Sequence, residues 1–435
     1  MGTRLGKRSR RFLRRPQGFT LVELMIAMAL MGVLTAMIYG LFARTSDSLA
    51  EAEALSTTLD RARFAISEIR SDLQMAGSHG SSNSLGADPW VQPPRPEIVV
   101  QPIRVHDEWT DQSVYTGAIA GLAAANPESK FNSFIVIGAI DYPMSFMANG
   151  LTFAGENVSM TITPTERGLG RLQRMDPFFV TTQSDLNPAG EFATNFGAAG
   201  NRMNGRLVRI MDQNGFMQFG GVGAYNGNTA ELRVDSVAIR ENDGGPGLER
   251  YVEPDVEHDI AFLDAYYYHV RPSAVEPTNL QLLRSRIDLL QLARVEGALG
   301  QTVLEGLIID GETVVVADYV VDFRVWFECV NAAGQMEDFW PQTWDFDPSA
   351  QTCISANAQN SEIERARVAH VRLSLRTDTE NPNRPHFTLE GQSPGLDEDG
   401  QLATYDVVPE ARGAAAVMTV QTSIDLVNLA IRGVL

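Results

Sequence analysis

The sequence holds only two cysteines in 435 residues, Cys329 and Cys353. That excludes a disulfide-dense scaffold and any zinc site built on cysteines alone. The six histidines (His79, His106, His258, His269, His370 and His386) stand at no metal-ligand spacing from one another or from a cysteine. There is no HExxH, no GxSxG and no Walker-type phosphate loop. Gly220-Gly221-Val222-Gly223 lacks the spacing and strand–helix setting of a dinucleotide loop and reads as a turn. Asp397-Glu398-Asp399-Gly400 lacks the downstream glutamate of a calcium loop and reads as solvated. We therefore expect no catalytic residue, no metal and no cofactor, and the protein is not read as an enzyme.

Acid is missing from the front of the chain. No aspartate or glutamate precedes Glu23, while Arg4, Lys7, Arg8, Arg10, Arg11, Arg14 and Arg15 crowd the first eighteen residues. Removing those seven from the 35 basic residues leaves 28 against 54 acidic ones, a net charge of −26. Such a body repels nucleic acid, whose affinity for protein comes from basic groups on phosphate. High net charge suits a soluble, exported domain.

Charge is missing again from Leu24 to Ala43, twenty mostly apolar residues ended by Arg44. As a helix this run spans the ~30 Å hydrocarbon core of a bilayer. The preceding arginines hold the N-terminus in the cytoplasm by the positive-inside rule. A cleaved secretory signal competes, but the run exceeds a usual signal core, and no clear small-x-small site follows. Beyond it, Leu49, Ala52, Leu55, Leu59, Ala62, Ile66, Ile69, Leu73 and Ala76 recur at spacings of three and four, which is one helical face. Gly77 stands where a C-cap glycine belongs. The pattern predicts one helix from Phe19 to Ala76, about 87 Å long at 1.5 Å per residue. Its first half is apolar all round and its second half amphipathic.

Within the apolar run, Glu23 is costly, at about 2.5–3.5 kcal/mol mid-membrane and less near an end. Three readings stay open from the residues alone. Glu23 sits solvated at the headgroup boundary, or it favours the positive end of the helix dipole. Alternatively, if the chain is cut after Gly18, it pairs with the Phe19 ammonium of a neighbouring chain, an arrangement that fixes register more than it stabilises.

Gly18-Phe19-Thr20-Leu21-Val22-Glu23-Leu24, behind a basic leader and ahead of an oily run, resembles the processing site of type IV prepilins and type II secretion pseudopilins. The resemblance implies cleavage between Gly18 and Phe19 by a prepilin peptidase, N-methylation of Phe19, and recruitment or registration of the subunit by Glu23. It implies other major and minor pilins and an inner-membrane assembly platform as partners, with a tip adhesin as a further candidate. The protein would be single-pass in a bacterial inner membrane, N-terminus cytoplasmic and head periplasmic, and then part of a fibre or its tip. Gly32 and Gly40, with no proline in the oily segment, depart from many major pilins.

Past the polar connector at residues 78–97, strand-like runs dominate. They are Phe134–Ile140, Leu151–Phe153, Val158–Thr163, Arg206–Met211, Phe216–Phe219, Glu231–Ile239, Ala265–Val270, Leu280–Leu283, Thr313–Cys329, Ala366–Thr377 and Val417–Leu429. Asp310-Gly311 is expected as a hairpin turn. The fold expected is α+β, a long N-terminal helix on a mostly antiparallel sheet with a large β-rich insertion. The domains expected are a removed leader at 1–18, a membrane half at 19–43, an amphipathic half at 44–76, and a head at 77–435 whose halves are about 98–260 and 261–435.

DLQMAG (72–77), AYYYHV (265–270), LQLLRSR (280–286), VVVADYVVDFRVWFEC (314–329) and ERARVAHVRLSLRTDT (364–379) resemble segments of PilW-type minor pilins. Pseudopilin J of type II secretion shares much of this layout. The resemblance implies a minor pilin that primes pilus assembly or forms the tip and serves twitching motility. A J-type pseudopilin and a fibre-borne adhesin are the alternatives. In an exported head, Cys329 and Cys353 are expected to form a disulfide, with two reduced buried thiols as the alternative. Trp340 and Trp344 between them are a candidate binding loop, or else a small core of their own.

Overall fold

The computed structural model describes residues 20–79, 103–107, 129–162 except 143–144 and 155–156, 205–211, 217–226, 231–236, 257–292 except 277, 301–330, 336–339, 366–378, 402–407 except 406, and 414–428. By contacts the chain divides into a unit ending at Ser56 and a unit beginning at Thr57.

Helix α1 runs Leu21–Met75, one or two residues inside the predicted span. In the second unit its buried stripe is Thr58, Ala62, Ala65, Ile66, Ile69, Asp72 and Leu73, which follows the predicted face and widens it. Leu49 and Ala52, assigned to the same face, are exposed. The helix stops where expected, because Gly77 takes a φ of 70°, which costs glycine nothing. The Gly77 amide donates to Ile137 O at 2.8 Å, so the stop is welded to a strand end.

Among the described residues fifteen strands follow, and every named pairing among them is antiparallel. β1 (Ile103–Asp107), β2 (Asn132–Gly138) and the second half of β8 (His258–Pro272) lie side by side. β9 (Leu280–Ile287) and β10 (Ile308–Ala317) continue that sheet. A second sheet has the order β12 (Met336–Phe339), β11 (Val320–Val330), β13 (Ala366–Arg376), β15 (Ala415–Asp425), β14 (Thr404–Tyr405). The two sheets meet at a parallel bridge between Phe131 and Phe323. The end of α1 packs on both: Ile66, Ile69 and Leu73 share one core with Phe134, Tyr268 and Leu282 and with Phe323, Val371 and Ile424.

The expected insertion has a definite form. The first half of β8 pairs with β3 (Ser145–Ala154) on one side and with β5 (Leu207–Met211) on the other. β3 pairs β4 (Asn157–Ile162), β4 pairs β7 (Glu231–Ser236), β7 pairs β6 (Met217–Asn226) and β6 pairs β5. The pairings return to β8, so six strands close into a barrel, which leaves no exposed sheet edge. Ile260 stands opposite both Phe146 and Ile210, and Phe262 opposite Val208, all buried. These strands share β8 with the flanking sheet, so one continuous strand serves both halves of the head.

Three local expectations are corrected. Asp310-Gly311 is no hairpin turn: Gln301–Gly306 ahead of it is helix α3, and Gly311, at φ 79°, lies inside β10 where the register slips between Ile308 and Thr313. Thr313–Cys329 is not one strand. It breaks between β10 and β11, where Tyr319 adopts φ 61° and hands the chain from one sheet to the other. Gly220–Gly223 is part of strand β6 rather than a turn, with a register shift between Val222 and Ala224, the kind of bulge that glycine accommodates. Helices α2 (Leu289–Leu292) and α3 were absent from the sequence reading, and they sit near the far side of β8 with Leu263, Ala265 and Tyr267.

Candidate functional site

The apolar front of α1 is the candidate site. Every residue from Leu21 to Ala50 is exposed, including Leu21, Met25, Leu30, Met37 and Phe42 at 55–75% of full accessibility. An apolar surface of this size around a whole helix turns toward lipid or other apolar helices. It is long and apolar enough to cross a membrane. Thr35, within it, returns its hydroxyl to Met31 O at 2.7 Å, so its polar group is met inside the helix.

At the head of this helix Glu23 turns back on its own chain. Its Oε2 accepts from the Thr20 amide at 3.0 Å and the Thr20 hydroxyl at 2.9 Å. The Glu23 amide donates to Thr20 Oγ1 at 3.3 Å. This is a capping box: Thr20 and Glu23, three residues apart, each satisfy an amide donor that the helix cannot. The carboxylate therefore holds the helix start whatever else it meets. Sequence reasoning weighed a solvated boundary, the helix dipole and a neighbour's Phe19 ammonium, and missed Thr20, although the T-x-x-E spacing that signals the box was in view. Gly18 and Phe19 lie outside the described residues.

The chain carries the prokaryotic N-terminal methylation motif over residues 13–39. Its N-terminus is thus type IV pilin-like. The chain is also 42% identical over 62 residues to "Pilin-like protein PilA3" of Thermus thermophilus. That similarity covers 14% of this chain and 27% of the relative, so the chain spans about a quarter of the curated relative's length. No solved structure shows a significant match.

In the second unit, α1, β8 and β9 converge on a carboxylate that sequence reasoning passed over. Asp72 of α1 is buried on the apolar stripe. Its Oδ2 accepts from Tyr268 OH at 2.7 Å and from Arg284 Nε at 2.7 Å, and its Oδ1 accepts from Arg284 Nη2 at 3.2 Å. Tyr268 and Arg284 are register partners on β8 and β9. Burial pushes the Asp72 carboxyl upward, while Arg284 and the bond from Tyr268 pull it down. Arg284 also lies 3.4 Å from the centroid of the Tyr266 ring. Tyr266 OH donates to Asp141 at 2.6 Å, and Arg206 pairs with both Asp141 and Asp264. A polar chain thus runs through the head from the stalk-side helix to the barrel strands. Nothing but an acidic residue on an otherwise apolar stripe signalled it.

Cys329 lies on β11 with Glu337 and Ala366 as its register partners. Cys353, Trp340, Trp344 and the acidic run at 397–400 lie outside the described residues. Among the described residues no group of three His, Cys, Asp or Glu side chains is placed to hold a metal.

Proposed function

We propose that this protein is a minor pilin of a type IV pilus, a non-catalytic subunit that primes assembly or stands at the fibre tip. The observation that carries the reading is the methylation motif at the start of a fully exposed apolar helix, followed by a head much larger than the helix needs for anchoring. In this reading a prepilin peptidase cuts between Gly18 and Phe19, and the Phe19 amine is methylated. The apolar half of α1 sits in the inner membrane, with the head in the periplasm, until neighbouring pilins and the assembly platform draw it into the fibre. Glu23 then serves twice: Oε2 closes the capping box, and the carboxylate meets the Phe19 amine of the next subunit. Cys329 and Cys353 form a disulfide in the exported head, holding the Trp340/Trp344 loop as a docking or adhesive surface.

The same N-terminal chemistry serves J-type pseudopilins of type II secretion, so the test must separate the two. Deletion in the native host is expected to abolish surface pili and twitching while secretion continues. Loss of secretion with normal pili would move the assignment to a pseudopilin. Normal pili lacking only surface attachment would make it an adhesin. Glu23→Ala is expected to enter the membrane at least as well as the native chain, since a charge leaves the bilayer. It is expected to be depleted from sheared fibres.

A further inference from the structure

The outer face of the second sheet carries an arrangement separate from the apolar helix. Ser423 on β15, His370 on β13 and Trp326 on β11 are register partners across three adjacent strands. Ser423 Oγ lies 2.9 Å from His370 Nδ1. The other ring nitrogen, Nε2, lies 2.8 Å from Glu328 Oε1. The imidazole stacks on Trp326, with centroids 5.0 Å apart and planes 14° from parallel. The ring is thus fixed on three sides: by an indole face, by a carboxylate on one nitrogen and by a hydroxyl on the other. With Nε2–H donated to Glu328, Nδ1 is left as the acceptor of the Ser423 proton. That is the linkage by which a base-and-orienter pair activates a hydroxyl.

The serine is also reachable. His370 is mostly covered, with 12% of its side chain accessible, whereas Ser423 is exposed.

We propose that Ser423 is an activated nucleophile that accepts an acyl group from an activated ester, a covalent tailoring of the head surface rather than a turnover reaction. Ser423 Oγ bonds to the acyl carbon as its proton passes to His370 Nδ1. The bond from that carbon to the leaving alkoxide oxygen breaks, and the Nδ1 proton leaves with the alkoxide as the alcohol. The products are O-acyl-Ser423 and one alcohol, with no oxidant or reductant required. The proposal does not rest on the assembly reading, and either can fail without the other.

The test uses the full-length protein in mild detergent with p-nitrophenyl acetate, following p-nitrophenolate release and locating the acetyl group by peptide mass spectrometry. The expected result is a burst of one equivalent with acetate on Ser423. Ser423→Ala is expected to lose the burst. His370→Gln, with its circular dichroism spectrum unchanged, is expected to slow Ser423 acylation by about 100-fold, the lower end of what a general base contributes. No acetylation of Ser423, or an equal rate in His370→Gln, would overturn the proposal and leave the three residues as a tie across the sheet.

Discussion

Asp72→Ala is the sharpest perturbation of the head. The substitution removes a carboxylate that receives two bonds from Arg284 and one from Tyr268. Arg284 keeps only 16% of its side chain accessible, and Tyr268 is fully buried. A buried guanidinium that loses its paired carboxylate costs about 3–5 kcal/mol. An orphaned phenol costs about 1–3 kcal/mol within that total. The seat of Arg284 over the Tyr266 ring is present in both proteins and cancels, while the residual exposure of Arg284 lets water take up part of the charge and holds the loss near the low end of that range. We expect a net loss of about 3 kcal/mol, a large share of a typical ~5–15 kcal/mol margin. Urea titration of the full chain in mild detergent, followed by tryptophan fluorescence, reads it as a shift in midpoint. Asp72→Leu with Arg284→Met is expected to lie nearer the native protein than Asp72→Ala, because the uncompensated charge is gone. A loss below about 1 kcal/mol for Asp72→Ala would refute the reasoning that this carboxylate fastens α1 to the sheet.

Two further predictions concern the same unit. Gly138→Ala puts a methyl 2.3 Å from Met75 O, against backbone at the C-terminus of α1. It should cost about 1–3 kcal/mol, as overpacking does, and a neutral midpoint would show that the weld between β2 and the helix end yields. His269 is buried, and burial with the nearby Arg271 charge holds its imidazole down at about 3. Unfolding frees it to bind a proton near pH 6.5. The unfolded state therefore takes protons first, and stability present above pH 6.5 falls as pH drops toward 3, by about 3 kcal/mol at pH 4. His269→Gln should flatten that part of the pH–stability curve, and an unchanged slope would remove His269 as its source.

Much of this molecule was legible in the sequence, and what escaped has common causes. The helix was readable because three-and-four spacing is local and Gly77 is the one residue type that stops a helix at positive φ without strain. Most of the principal strands were readable because β-rich runs bounded by glycine and proline are local too. Closure of the barrel was not, since β5 and β8 meet across some fifty residues and nothing local records which edge seeks which. The break at Tyr319 escaped because a valine-rich run looks uniform, while the turn depends on a residue that takes positive φ where rings and guanidinium groups gather. Arg376 lies 4.7 Å from its ring centroid. Asp72 escaped as a site because its partners, Tyr268 and Arg284, are about two hundred residues away. At the N-terminus the motif was fully legible, yet the capping role of Thr20 was missed because attention went to the cost of the charge in lipid rather than to the amides beside it.

The central claim, that this is a processed pilin-class subunit, is tested most directly by the mature N-terminus. Mass spectrometry of the protein from membranes or sheared fibres of the native host is predicted to find Phe19 first, carrying a methyl group on its amine. An intact Met1, or a cut beyond residue 40, would contradict the account.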